Sequence, residues 1–534
     1  MFRLRKFIFL LVVSIFLMTA CTSEESTKPN TSTDTNNLSE QQGGEKVLYV
    51  QIGGEVKDFD PHYLAGLPEY ASVIPLFNGL VRLPSGTVDV DNIEGDLAEK
   101  WESNEDATEW TFYLRKGVQW HKGYGELTSE DVKLSFERVM DESNGISAAL
   151  NFKHVESIDT PDEYTVTFNL MEPDPNFLTR VVNFSGGHIV NMKAVEAGEP
   201  YIGTGPFMFE QYKTQDQGVL VKNKDYFRGE PKIDKMILKI MTDPTAIDIA
   251  LEKGDIHIAF GSGDPLWVES TMAKENLKID IGDKFAIGAF FFNTKKAPFD
   301  DIRVRQAVAH AIDVDAYVKT FAAEGVAAVP KGPVPESVSG SVDVGAYEYN
   351  PEKAKQLLKE AGYEDGLKLP TQFVSTGAHI LRPMTYVQDQ LKQVGIDLPL
   401  EKVEHTTFHD NNRKAMHSFS YVAFNRPPHI SWWMRDVYYG PSSVGTTTGN
   451  ANYSLYSGSD DKITQALVET DEEKANALYA EIQQEIKDYY AIVPFIDTAT
   501  VMVRNKRVKL GYNNDSYNGA LGYYYEITEN TDLE

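Results

Sequence analysis

The chain has one cysteine, Cys21, in 534 residues. That excludes an intramolecular disulfide and every metal or redox motif built on two thiolates, so stability has to come from burial. Basic charge is also short: 51 Lys and Arg against 79 Asp and Glu give a formal charge of −28. A partner rich in phosphate needs a basic footprint, which argues against nucleic acid. Beyond residues 7–18 there is no uninterrupted apolar run of comparable length. Catalytic signatures are missing as well. No GxSxG elbow, no GxxxxGK phosphate loop and no HExxH is present, so a secreted hydrolase would lack a recognisable nucleophile or metal grip. GTGPF at 203–207 lacks the third glycine of a dinucleotide fingerprint and reads as a turn. In TVDVDNIEGD at 87–96, Ile93 takes a ligand place of a calcium loop and Gly95 falls one residue late, which leaves an acidic surface loop.

What is present is the composition of a globular protein, with 42% hydrophobic residues, on a chain long enough for two or three packed lobes. Arg3, Arg5 and Lys6 precede Phe7–Met18, broken only by Ser14 and followed by TAC. A run of that length is too short to cross ~30 Å of hydrocarbon comfortably, and it fits the core of a secretory signal over residues 1–20. Leu17, Met18, Thr19 and Ala20 before Cys21 resemble a bacterial lipoprotein box, with Met18 where leucine is usual. The resemblance implies cleavage before Cys21, a lipid on its sulfur and an anchor in the membrane; ordinary cleavage after Ala20, leaving a free thiol, is the alternative. Residues 21–45 hold a single large apolar side chain, Leu38, and read as a flexible tether. Without residues 1–20, which carry +3, the net charge is −31.

The rest alternates strand and helix patterns. KVLYVQI at 46–52 reads as an opening strand, and TEWTFYLR at 108–115 alternates with period two. So does EYTVTFNL at 163–170, with Tyr164, Val166, Phe168 and Leu170 on one face. YNPEKAKQLLKEAGY predicts a helix capped by Asn350, begun by Pro351 and ended by Gly362. DIRVRQAVAHAID predicts another through Val304, Ala307, Val308, Ala311 and Ile312. Ile463, Leu467, Leu478, Ile482 and Ile486 mark two amphipathic helices near the end. The expected class is mixed α/β.

LAEKWESNEDATEWTFYLRKGVQWHKGYGELTSEDVKLSFERV, 97–139, resembles the signature region of the family 5 extracellular solute-binding proteins, the peptide, dipeptide and nickel receptors of ABC importers. IGTGPFMFEQY, VKNKDYFRGEPKID, ALEKGDIHIA, FFFNTKKAPFDDIRVRQAVAHAID and YNPEKAKQLLKEAGY follow in family order, so the likeness spans about residues 46–534. It implies a periplasmic-binding-protein-like fold in which two hinged lobes close on a ligand. Lobe I would take 46–88, 205–290 and 497–534, an additional small α+β domain 89–204, and lobe II 291–496, with hinges near 290 and 496. It also implies a monomeric receptor without enzymatic activity or cofactor that hands a peptide or peptide-like solute to the permease and ATPase subunits of an importer. Trp101, Trp110, Trp120 and His121 are expected to pack the small domain. Asp60 and Pro61 form a turn before His62 and Tyr63, which are candidates to touch ligand.

The strip YVAFNRPPHISWWMRDVYYG, 421–440, departs from the family's pattern of a tryptophan followed by an acidic Asp-Tyr-x-Asp-Pro run. Asn425, Arg426 and His429 stand where acids that pair with a peptide amine are expected. A guanidinium fork suits carboxylate or phosphate, so Arg426 is a candidate for an anionic ligand group, with Asp436 left to hold an amine. Pairing of Arg426 with a neighbouring carboxylate is the competing reading. Trp432 and Trp433, read as an extended pair, would face opposite ways, one to the cleft and one to the core. His405 and His409 share a helical face, with His417 eight residues on; this geometry suits zinc or nickel and keeps a metal-chelate receptor as the alternative, although solvated surface histidines are the plainer reading. A ligand sensor on the same fold is a further class.

Overall fold

The computed structural model describes residues 44–64, 67–182, 184–447, 449–513 and 525–534. The expected signal, Cys21 and nearly all of the tether lie outside them.

The opening strand, Val47–Ile52, is buried almost throughout and sits inside a seven-stranded sheet. In spatial order the sheet runs Leu277–Ile281, Val501–Asn505, Ile258–Phe260, Val47–Ile52, Lys235–Ile240, Gln217–Lys222 and Phe207–Lys213. Val47–Ile52 pairs in parallel with Lys235–Ile240 and Ile258–Phe260, and the outer strands are antiparallel. Burial on both faces explains why VLYVQI is a nearly continuous apolar run.

A second sheet, Ala98–Ser103, Glu109–Leu114, Thr165–Leu170 and Val155–Asp162, is covered on one face only. Its two central strands therefore alternate: Trp110, Phe112 and Leu114 point in, as do Val166, Phe168 and Leu170. Helix Ser129–Met140 lays Val132, Phe136 and Val139 on that face and opens with a Thr128/Asp131 capping box. Trp110 and Trp120 are buried as expected, and Trp101 is half-buried. His121 ties this region to the GTGPF turn: its Nε2 bonds Gly205 O at 3.0 Å, and its Nδ1 accepts from Gly203 N at 3.2 Å. The turn needs glycine, because a Cβ on Gly205 would lie 2.5 Å from the Leu76 carbonyl carbon.

The third sheet is Ala327–Ala328, Ile492–Thr498, Ala286–Phe292 and Phe419–Asn425, all antiparallel. AIGAFFF separates two cores. Phe290 and Phe292 face one with Phe419, while Ile287, Ala289 and Phe291 face the other with Trp433. Gly288 is required, since a Cβ there would overlap the Tyr421 hydroxyl at 1.9 Å. Helix Pro351–Glu360 is capped by Asn350, which accepts from Lys353 N at 3.0 Å, and Gly362 follows at φ +91°. Helices Ile302–Ala311, Asp460–Val468 and Glu472–Tyr489 stand where the periodicity put them.

The chain passes from the seven-stranded to the four-stranded sheet between Ile281 and Ala286, and back between Thr498 and Val501. The passages at 282–285 and 499–500 thus bracket the boundaries read at 290 and 496, because Ala286–Phe292 already belongs to the four-stranded sheet.

Candidate functional site

Two prolines, Pro427 and Pro428, end the strand Phe419–Asn425 and prevent the following helix from extending backwards. His429 caps that helix, its Nδ1 accepting from Ser431 N. Ile430–Trp433 is helical and continues into a π-helical turn, Met434–Tyr438. The two tryptophans are therefore about a hundred degrees apart on a helix, not opposed on a strand. Trp433 turns inward and stacks on Phe424, centroids 5.6 Å apart. Trp432 turns toward the segment 151–180, and its Nε1–H donates to Thr179 Oγ1 at 3.0 Å.

A cluster of buried and half-buried charge surrounds Trp432. The Arg435 guanidinium lies 4.3 Å and that of Arg180 5.5 Å from its ring centre. Asp436 is shared: its Oδ1 accepts from Arg435 Nε at 2.9 Å, and its Oδ2 lies 3.2 Å from Arg426 Nε. Arg435 also donates to Asn151 Oδ1 at 3.2 Å. Across the cluster Arg180 pairs with Asp174, which also meets His154 Nε2 at 2.9 Å. Burial opposes the charge of Asp174, yet Arg180 and His154 outweigh it and hold this carboxyl well below the usual range. Burial lowers the Arg435 pKa, and Asp436 works against that. Burial pushes His429 down to about 4, so it is neutral near pH 7. The arrangement holds three guanidinium groups, Arg180, Arg426 and Arg435, against two carboxylates, Asp174 and Asp436. Among these five groups the guanidiniums outnumber the carboxylates by one. His429 Nδ1 also lies 2.8 Å from the Ser431 hydroxyl.

The residues expected from the sequence divide accordingly. Arg426 forms an ion pair with Asp436 and donates to Asn425 O at 2.9 Å, the carboxylate pairing that the competing reading expects. Asp436 has each of its two oxygens within 3.2 Å of an arginine Nε. His62 is buried, with Nε2 on His188 O at 2.9 Å and Nδ1 accepting from Arg138 at 2.8 Å; both nitrogens are taken. Tyr63 is 38% exposed, with its hydroxyl on Asn144 O at 3.0 Å. Asn425 and His429 are half-buried beside the cluster. His417 is buried with Nε2 on Tyr453 O at 2.8 Å, and among the described residues no group of three or more His, Cys, Asp or Glu is arranged to hold a metal. Asn151, Asp174, Thr179, Arg180 and Arg435 were not foreseen. The Trp432 indole joins residues 253 apart in sequence, and no local spacing announces that.

The family described as bacterial extracellular solute-binding proteins, family 5, middle, matches residues 92–454. Di/tripeptide-binding protein 2 of Pseudomonas aeruginosa is 28% identical over 504 residues, 88% of this chain and 92% of that protein. The structure of MoaA from A. tumefaciens R10 in complex with mannopinic acid superposes with a TM-score of 0.81 at 29% identity, over 92% of this chain and all of that one. DppA from Helicobacter pylori in complex with the peptide STSA gives 0.77 at 26% identity, over 91% of this chain and 98% of that one. These relatives are binding proteins, not enzymes. With the family match covering well over half of its length, the chain belongs to the family 5 bacterial extracellular solute-binding proteins and has their two-lobed α/β fold.

Proposed function

We propose that this protein is the receptor of an ABC importer and captures a small peptide-like solute bearing a carboxylate, which it delivers to a membrane permease. The seven-stranded sheet builds lobe I, the sheet of residues 98–170 a small domain attached to it, and the four-stranded sheet lobe II. Segments 282–285 and 499–500 are the hinges. Lipid on Cys21 anchors the monomer to the membrane, and residues 22–45 are the tether. Closure follows from better ligand affinity in the closed state than in the open one.

The observation that carries this reading is the surplus guanidinium beside Trp432. A cation taken out of water and left without a partner is unfavourable by several kcal/mol. A ligand carboxylate would complete a set of three arginines and three acids. Arg435, whose charge burial disfavours and which shares its only carboxylate with Arg426, is the natural seat for it. The peptide and the mannopinic acid held by the similar proteins both carry carboxylates. A metal chelate with carboxylate ligands would meet the same requirement, so the test includes one. Calorimetric titration of ligand-free protein with a panel of di- and tripeptides, their C-terminal amides, mannopinic acid and nickel–histidine is expected to give tight binding by free acids and at least about 30-fold weaker binding by amides. Equal affinity for acids and amides overturns the anionic reading, and binding of nickel–histidine alone replaces the peptide-like solute with a chelate. Loss of membrane association in Cys21→Ala checks the anchor.

A further inference from the structure

Away from the charge cluster, three histidines converge on the parallel pair Gln372–Ser375 and Leu400–Val403. His405 opens helix His405–Arg413, and His409 lies one turn later, so both project from one face. Their Nε2 atoms are 3.2 Å apart. His379, in the first turn of helix Ala378–Gln393, brings a third ring to 5.6 Å from that of His405, centre to centre, at 65°. The sequence offered only the pair, because His379 is separated from it by a whole helix and two strands.

We propose that His405 and His409 are the preformed half of a transition-metal site, completed by His379 and water, that takes a divalent ion of the zinc, nickel or copper class on lobe II. Two metal–nitrogen bonds of ~2.0–2.1 Å at a tetrahedral angle separate the nitrogens by about 3.3 Å, close to the spacing already present. In the ion-free protein that spacing is bridged by one N–H. The outer contact of His405 fixes its ring: its Nδ1 lies 3.0 Å from Ser375 Oγ, and Ser375 is fully buried and accepts from Gly377 N at 3.2 Å. With Nδ1–H donating to Ser375, the His405 Nε2 lone pair points at His409, whose Nε2–H currently fills the gap. An incoming ion takes the place of that proton, which moves to His409 Nδ1 through solvent. Imidazole nitrogen selects this group of ions over calcium and magnesium, which prefer oxygen. His379 does not yet reach the pair and swings in by side-chain rotation.

The experiment uses tag-free mature protein, stripped with chelator, and titrates zinc, nickel and copper chlorides separately. One ion per chain is expected for at least one of them. His405→Ala and His409→Ala abolish saturable binding, His379→Ala weakens it about tenfold or more, and Ser375→Ala weakens it about tenfold through loss of the Nδ1 partner. Peptide affinity stays unchanged in all four variants, which separates this site from the cleft. Shifts of the histidine ring signals in NMR spectra of the folded protein provide a second readout that is independent of affinity. No saturable binding by any of the three ions, or binding that survives His409→Ala, overturns the proposal.

Discussion

Replacing Arg435 by Met tests the surplus-charge argument where it is most exposed to failure. In the ligand-free protein Arg435 shares Asp436 with Arg426, donates to Asn151 and lies over Trp432. Arg435→Met leaves two guanidinium groups facing two carboxylates, with Asp436 still 3.2 Å from Arg426. The substitution removes two charged hydrogen bonds, to Asp436 and Asn151, of about 1.5–3 kcal/mol each at most, and a cation–π interaction of up to about 2 kcal/mol. The gain is relief from desolvating an uncompensated cation, several kcal/mol, and an apolar replacement still covers the Trp432 ring. The two sides nearly cancel, so the ligand-free protein should change in stability by less than about 2 kcal/mol in urea denaturation followed by tryptophan fluorescence. Binding should behave quite differently. Loss of a buried partner for the ligand carboxylate weakens affinity by about 2–5 kcal/mol, roughly 30-fold to several thousandfold, when the tightest free acid of the peptide panel is titrated. The amide of the same peptide should lose little. A variant destabilised by about 4 kcal/mol or more with unchanged affinity for the acid would refute the reasoning, because Arg435 would then already be fully compensated within the protein.

The buried histidines set the acid limit of stability. Burial lowers His121 to about 4 from 6.5, so the unfolded chain binds its proton first. The stabilisation is complete above pH 6.5 and is lost as pH falls toward 4, by up to about 1.4 kcal/mol per pH unit. His121→Gln should flatten the denaturation-versus-pH curve by that slope, and parallel curves would count against it. Asp497 has the opposite sign. Burial pushes it up to about 8 and one of its oxygens has no partner, so its contribution is lost as pH rises from about 4 to about 8. Asp497→Asn is expected to stabilise by a few kcal/mol at about pH 7 and hardly at all at about pH 4, read from urea midpoints at the two pH values. Trp433→Ala opens a cavity in the core shared with Phe291 and Phe424 and should destabilise by about 3–5 kcal/mol in the same assay. Trp432→Phe removes the bond to Thr179, about 0.5–1.5 kcal/mol, weakens the stacking of Arg435 and Arg180 on the ring, and should show as faster ligand release in stopped-flow dissociation.

Much of the fold was legible because its signals are local. The period-two face Val166, Phe168, Leu170 needs only a sheet covered on one side, and Asn350 with Pro351 and Gly362 punctuates a helix whatever surrounds it. The site was legible only in outline. Within the strip 421–440 the aromatic pair expected to be extended is helical, a result that Pro427, Pro428 and the His429 cap enforce locally. The sequence leaves open whether Arg426 and His62 meet ligand or protein, because their partners lie at a distance or depend on side-chain direction. Asp436 reaches back ten residues to Arg426 across a turn, and Arg138 and the His188 carbonyl come from other elements to occupy His62. Charge balance has the same limit. The count of three cations against two anions exists only once Asp174 and Arg180 are folded against Trp432 and Arg435, and no spacing in the chain encodes it.

Native mass spectrometry of the protein released gently from its source membrane, compared with Arg435→Met prepared identically, tests the central claim most directly. The account predicts a co-purifying small molecule on the unaltered protein, one per chain, whose extracted mass and fragmentation reveal a carboxylic acid, and its depletion from the variant. A bound compound without any acidic group, or the same occupancy in both proteins, would contradict it.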